Sequence, residues 1–235
     1  MKAVILAGGL GTRLRPFTEV IPKPLLPLGE ESLMEIQIHA LRNHGLDEIF
    51  IATNYMSDYV EAFLGNGSKH GVTLHFSREK KPLGTCGPLT LLRKELTEPF
   101  IVMNGDILTK LNFQKFYDFG VRANSLLTVA TKTIFTPFSF GNVTADDNDH
   151  IVDVEEKPNL RMEIIAGVYC MKPEIFSWIP DNEYFGMDTL IKKLLSAHQH
   201  VSRYVIHEYW LDIGQVEDYT KAQQDYRTYF SDKSK

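Results

Sequence analysis

A chain of 235 residues, 43% hydrophobic and 23% charged, can bury one substantial core and does not require a second domain. Its formal net charge of −5, with the basic residues gathered in particular loops, argues against a general nucleic-acid binder, and no apolar run reaches membrane-spanning length. Met1-Lys2-Ala3 leads into the first apolar run without a signal-peptide pattern, and Cys86 and Cys170 lie far apart without metal-ligand spacing, so reduced thiols and a cytoplasmic location are expected.

Residues 3–6 read as a buried strand, ended at once by Ala7, Gly8, Gly9 and Gly11. Glycines without Cβ let backbone N–H groups approach an anion, and Thr12, Arg13, Arg15 and Lys23 add a hydroxyl and three cations. The stretch therefore points to a triphosphate-like ligand. It is not a dinucleotide fingerprint, because the third glycine position holds Leu14, and it lacks the Gly-Lys-Ser/Thr of a P-loop. Pro22-Lys23-Pro24 fixes the backbone on both sides of Lys23, which aims that side chain.

Ser32-Leu33-Met34-Glu35 has the form of a capping box, and Leu33, Ile36, Ile38, Leu41 and His44 predict an amphipathic helix stopped by Gly45. Strands follow at 49–52, 72–76 and 100–103; between them lie a short helix that Ser57 precedes and that runs through Tyr59 to Leu64, and a helix at 89–96. Continuous apolar strands alternating with helices predict a doubly wound α/β fold with a parallel sheet covered on both faces. Beyond Asp106 the rhythm changes. A helix is expected at 113–121, a strand at 126–130, a hairpin of 142–144 and 151–154 around the polar turn 146–149, a strand at 166–171, and helices at 190–195 and 215–226. Tyr226, Tyr229 and Phe230 are expected to cover the core rather than form an interface, residues 231–235 to fray, and a homo-oligomer stays open. The eight histidines are scattered, which predicts surface or satisfied core residues rather than a metal cluster.

Two carboxylates stand out. Asp106, in Asn104-Gly105-Asp106, follows an apolar strand, and ligands of open α/β sheets bind at the carboxyl ends of strands; a cap or turn role is the alternative. Asp212 lies between apolar residues in Trp210-Leu211-Asp212-Ile213-Gly214, where a charge is costly unless paired or metal-bound. Mg²⁺, commonly held by one or two carboxylates plus substrate phosphates, suits such a pair.

The run from Leu6 to Leu14, followed by Pro22-Lys23-Pro24-Leu25, resembles the signature of the sugar-1-phosphate nucleotidyltransferases, which join a nucleoside triphosphate to a sugar 1-phosphate and release pyrophosphate. The resemblance extends from Lys2 to about Asp218. It implies a Rossmann-like three-layer sandwich around a mostly parallel mixed sheet, similar to GT-A enzymes and without a β-helix extension. Residues 1–235 would form one domain, with a nucleotide-binding half at about 1–110 and a sugar-binding half at about 111–220. It implies catalytic roles for Arg13, Lys23 and Asp106, a nucleotide site from Leu6, Ala7, Gly8, Gly9, Gly11, Thr12 and Asn104, and Mg²⁺ on Asp106 and Asp212.

The run from Glu79 to Leu89 resembles the family's nucleobase loop, which brings in Glu79, Pro82, Gly84 and Thr85, with Gly84 letting the base lie against the backbone. A glutamate accepts hydrogen bonds and donates none, so Glu79 suits guanine, with adjacent donors at N1 and N2. The run is most similar to the guanylyltransferase branch, although uridylyl-transferring members can also carry an acid there. Val154-Glu155-Glu156-Lys157-Pro158 resembles the sugar-site motif, which puts sugar hydroxyls on Glu156, the sugar phosphate on Lys157, and close sugar contacts at Gly141 and Gly167. Ile165 departs from the pattern, which commonly has Asn there. Two other readings stay open: a glycosyltransferase, whose usual Asp-x-Asp would start at Asn104, and a nucleotide-binding homologue without turnover, which would typically lose the equivalent of Arg13 or Lys23.

Overall fold

A computed structural model describes residues 1–231; the expectation of a frayed 232–235 lies outside the described residues. The strands are β1 (Lys2–Ala7), β2 (Pro27–Leu28), β3 (Glu31–Ser32), β4 (Glu48–Thr53), β5 (Thr73–Arg78), β6 (Phe100–Asn104), β7 (Ile107–Thr109), β8 (Leu127–Pro137), β9 (Asn142–Ala145), β10 (Ile151–Glu155), β11 (Asn159–Met171), β12 (Val201–Val205) and β13 (Trp210–Asp212). The α-helices are α1 (Leu33–Arg42), α2 (Ser57–Leu64), α3 (Phe113–Arg122), α4 (Met187–Ser196) and α5 (Val216–Tyr229).

Seven strands form the central sheet in the order β12-β8-β11-β6-β1-β4-β5. β1 pairs in parallel with β4 and β6, while β11 runs antiparallel between β6 and β8, so the sheet is mixed rather than wholly parallel. One face buries Met34, Ile38 and Leu41 of α1 with Phe113 and Phe116 of α3. The other buries Leu89, Leu92, Leu190 and Leu194. This is the three-layer α/β architecture. The capping box of α1 forms as the sequence indicates: Ser32 Oγ accepts from the Glu35 amide at 3.2 Å and Glu35 Oε2 accepts from the Ser32 amide at 2.9 Å.

Two expectations need correction, and one strand had no expectation behind it. The stretch 89–96 is not an α-helix; a 3₁₀ segment spans Gly87–Leu92. Its entry is tied elsewhere, because the amides of Cys86 and Gly87 both donate to Phe185 O, at 2.9 and 3.1 Å. The strands expected at 126–130 and 166–171 continue as β8 and β11 into a long two-stranded ribbon, in which Leu160 faces Thr136 and Ile165 faces Thr131. β12 went unseen: its Val201 and Val205 are half-buried at the sheet edge, and its short run lacks a strong apolar pattern. Tyr226 is buried and Phe230 packs beside it over a third cluster with Leu14, Leu28, Leu108 and Ile213, whereas Tyr229 is exposed.

Gly120, inside α3, meets β11 so closely that an added Cβ would lie 2.5 Å from Cys170 Sγ. Alanine ordinarily favours a helix over glycine by about 1 kcal/mol. Here the sign reverses: Gly120→Ala is expected to destabilise the protein by about 1–3 kcal/mol through overpacking, read as a lower urea midpoint with an unchanged slope.

Candidate functional site

The register of the sheet assembles the site. Leu6 of β1 pairs with Asn104 of β6, and Ala7 pairs with Thr53 of β4, so the chain leaves all three strands at one level. There the glycine loop lies beside Gly105-Asp106, and the Gly105 amide donates to Leu6 O at 2.9 Å. A Cβ at Gly105 would sit 2.8 Å from that same oxygen, which is why the residue before Asp106 has no side chain.

The loop after β1 is shaped by its own contacts. Gly11 has φ +61, and a Cβ there would meet Thr18 Cγ2 at 2.9 Å and Lys23 Cβ at 3.2 Å. Thr18 Oγ1 donates to Gly11 O at 2.8 Å, and fully buried Leu14 pins the segment into the third cluster. Among the described residues, no amide from Gly8 to Gly11 donates to a backbone carbonyl, which leaves these N–H groups for an anion. Leu6, Ala7, Gly9, Leu10, Gly11, Thr12, Arg13, Lys23, Pro24, Gly105, Asp106 and Gly214 line a cleft of about 320 Å³.

Lys23 crosses 83 residues of sequence to reach Asp106, Nζ to Oδ2 at 2.6 Å, with its side chain only 12% exposed. The two prolines around it and the hydrogen bond of the Leu25 amide to Pro22 O, 2.8 Å, hold that aim. Asp212 enters through the short antiparallel pair of β13 with β7, in which it faces Ile107, and the Ile213 amide donates to Asp106 O at 2.9 Å. Burial, and then the neighbouring Asp106, push the Asp212 carboxyl up to about 6, against the pull of Lys23 and Arg13. The surrounding protein crowds this carboxyl, but the residue as a whole is exposed, so solvent screens part of that repulsion.

These residues fit a divalent cation. Asp106 Oδ1 is buried without a hydrogen-bond partner, and the repulsion that raises Asp212 is what a shared cation would relieve. No group of three or more His, Cys, Asp or Glu that could hold a metal occurs among the described residues, so a cation between Asp106 and Asp212 would have two protein carboxylates and would need other oxygens to complete its shell.

A second cleft of about 420 Å³ shares Leu6, Gly9, Leu10 and Asp106 with the first and is also lined by Gly8, Ala52, Asn54, Glu79, Pro82, Gly84, Thr85, Pro88, Asn104 and Tyr184. Glu79 Oε2 accepts from the Leu83 amide at 2.8 Å, while Oε1 would lie 2.9 Å from a Cβ at Gly8. Burial raises the Glu79 carboxyl, and the hydrogen bonds from Leu83 and Asn54 oppose that rise. Two residues of this loop have structural duties beside lining the cleft. Gly84, at φ +80, is required by the close carbonyl of Phe185, 2.7 Å from an added Cβ, and Thr85 Oγ1 accepts from the Met187 amide at 2.9 Å, holding the start of α4.

Gly167 reaches this centre from β11: it has φ +68, and a Cβ there would come within 2.8 Å of Asn104 Nδ2. Gly141, Glu156 and Lys157 are placed apart from both clefts. They are exposed at the β9–β10 ribbon, where Glu156 Oε2 lies 3.0 Å from the Cβ position of Gly141. Sequence reasoning missed Asn54, Gly214 and Tyr184. Asn54 directly follows β4, so the strand-end rule could have found it, whereas Tyr184 arrives from a loop with no such signal.

Asp212 generates a pH-dependent prediction. A carboxyl raised in the folded state keeps its proton while the unfolded chain has already lost its own, so stability falls as pH rises from about 4 through about 6. Asp212→Asn is therefore expected to raise the metal-free melting temperature by a few degrees at pH 7.5 and to leave it near the wild type at pH 4, measured by thermal melts in chelator; an equal shift at both pH values would remove the repulsion from the account.

A model of the nucleotidyl transferase family matches residues 2–229. Curated relatives include a UTP–glucose-1-phosphate uridylyltransferase of Synechocystis, 32% identical over 241 residues, and a mannose-1-phosphate guanyltransferase of Debaryomyces hansenii, 32% identical over 241 residues. These alignments cover 94% and 99% of this chain but 62% and 66% of the relatives, so the chain spans a little under two thirds of their length. Among solved structures, HddC from Yersinia pseudotuberculosis complexed with GMP-PN matches with a TM-score of 0.74 and 27% identity, over 96% of this chain and 99% of that one. No helix among the described residues is long and apolar enough to cross a membrane.

Proposed function

The chain belongs to the nucleotidyl transferase family, and from that premise we propose that it transfers the nucleotidyl group of a nucleoside triphosphate, with GTP preferred, to a sugar 1-phosphate. The observation that carries this reading is the convergence, under the glycine loop, of Lys23 on Asp106 with Asp212 beside them, at the junction of two clefts that share one floor.

The chemistry is an in-line displacement. A phosphate oxygen of the sugar 1-phosphate attacks the α-phosphorus; the bond from that phosphorus to the oxygen bridging to the β-phosphate breaks, and pyrophosphate leaves with the electron pair. Gly9, Leu10 and Gly11, whose amides have no backbone acceptor, line the first cleft with Arg13, where the departing charge would accumulate. Lys23, held nearly dry by its prolines, offers an ammonium that can neutralise a phosphoryl oxygen once Asp106 is otherwise satisfied. Mg²⁺, held by Asp106 and Asp212, would supply Lewis-acid neutralisation of the phosphates. No side-chain nucleophile is needed, and Cys86 and Cys170 are both buried, with burial pushing each thiol up to about 12.

The preference for GTP rests on Glu79. One of its oxygens is tied to the Leu83 amide, and the other stays beside Gly8 at the apolar cleft walled by Leu6, Ala52, Pro82 and Pro88. A carboxylate oxygen there accepts and does not donate, which suits the N–H edge of guanine. The Debaryomyces relative is named a mannose-1-phosphate guanyltransferase and the HddC structure holds GMP-PN, which support the same nucleotide; the Synechocystis relative, named for UTP, is the competing case. On the sugar side, Glu156 for the hydroxyls, Lys157 for the phosphate, and Gly141 and Gly167 as close contacts are part of the proposal.

Pyrophosphate release, with Mg²⁺ and with GTP, UTP, dTTP, CTP and ATP crossed against a panel of sugar 1-phosphates, is expected to be highest with GTP. Release with UTP, dTTP or CTP alone would keep the reaction and remove the role of Glu79. Lys23→Ala and Asp106→Ala are each expected to lower turnover by about 10²–10³-fold with unchanged circular dichroism, and wild-type rates in either would overturn the assignment.

A further inference from the structure

Gln37 lies in the middle of α1, 2% exposed, on a helix whose other inward residues are apolar. Burying an amide is costly unless its groups are used, and only half of this one is. Nε2 donates to Asn104 O at 3.1 Å and to Ile107 O at 2.8 Å, whereas Oε1 is buried with no partner. Both acceptors are carbonyls, so the amide must turn its NH₂ toward them; the orientation is set by chemistry rather than by choice. What the position retains is a double donor.

Those two carbonyls bracket Gly105-Asp106. Two other backbone groups of the turn are also held: the Gly105 amide by Leu6 O at 2.9 Å and Asp106 O by the Ile213 amide at 2.9 Å. The turn is thus fastened at its front to β1, at its back to β13, and from beneath, at both ends at once, by one side chain. We propose that Gln37 is a positioning residue: by clamping the carbonyls of residues 104 and 107 it fixes the turn that aims the Asp106 carboxylate at the cation and phosphates. The catalytic consequence rests on the reaction proposed above; the clamp itself does not.

The test compares Gln37→Met, which keeps length and apolar bulk but has no donor, with Ile38→Val, a packing change one residue along the same helix. Hydrogen exchange of the Gly105 and Asp106 amides, read by mass spectrometry without metal or substrate, is expected to rise about tenfold in Gln37→Met and to stay at wild-type rates in Ile38→Val. Mn²⁺ titrated by calorimetry into protein saturated with a non-hydrolysable GTP analogue is expected to bind about tenfold more weakly in Gln37→Met. In pyrophosphate release, the Mg²⁺ concentration for half-activation is expected to rise by the same factor and kcat to fall, with the KM for sugar 1-phosphate within about twofold of wild type. Gln37→Leu takes the place of Gln37→Met if the latter does not fold. A folded donor-free variant with wild-type exchange and metal affinity would overturn the proposal, leaving Gln37 as core packing. Faster exchange at residues 105 and 106 in a protein whose wild type releases no pyrophosphate would sustain the clamp and reject the reaction instead.

Discussion

The structure depends first on the parallel register of β1 between β4 and β6. Pairing Leu6 with Asn104 and Ala7 with Thr53 ends three strands at the same height, so that the glycine loop, Gly105-Asp106 and Asn54 open onto one rim. Strands buried on both faces hold that register strongly, because slipping by one residue would turn every apolar side chain to the wrong helix layer. Val4, Ile5, Ile101 and Val102 are all fully buried. The position of Asp106 relative to the phosphate-sized cleft is therefore set by the core, and the loops add the finer adjustment.

On that rim the charges balance in a particular way. Lys23 and Arg13 face Asp106 and Asp212, and the short ion pair from Lys23 satisfies only one oxygen of Asp106. The other oxygen stays buried and unpartnered, and burial first, then the like charge of Asp106, raises the Asp212 carboxyl. A site at rest with an excess of carboxylate on one side and free amides and a guanidinium on the other is preorganised for a cation and an anion together. It is poorly matched to either one alone.

Legibility in the sequence followed locality. The glycine loop, the proline-flanked lysine and the Asn-Gly-Asp after β6 each carry their signal within a few residues, and the structure brings all three together. The capping box of α1 is equally local and forms with both of its hydrogen bonds. What could not be read depends on partners distant in the chain. Residues 89–96 carry a helical pattern, yet the turn is tightened at its start by Phe185, almost a hundred positions later. Gly84 looks like a base contact by motif, and its strict need for glycine comes from that same Phe185 carbonyl. Gln37 gives no sign in the sequence of being anything but a polar interruption of an apolar face; its role emerges only when α1 is laid beneath β6 and β7.

The candidate site residues also differ in how firmly the fold holds them. Residues of the glycine loop and around Asp106 are anchored to buried strands, buried Leu14 and the hydrogen bonds of Gly105 and Ile213. Gly141, Glu156 and Lys157 stand on a ribbon in which every residue of β9 and β10 is exposed, with Val143, Ile151, Val152 and Val154 among them. A two-stranded ribbon with so little buried apolar surface opens at low free energetic cost, whereas displacing Asp106 would require disturbing the central sheet. It follows that the two clefts are built into the core, while the outer ribbon is the part whose position relative to them the core constrains least. Under the reaction proposed above, discrimination among acceptors would fall to this segment, because it can shift at little cost to the rest while the register of β1 and β6 stays intact.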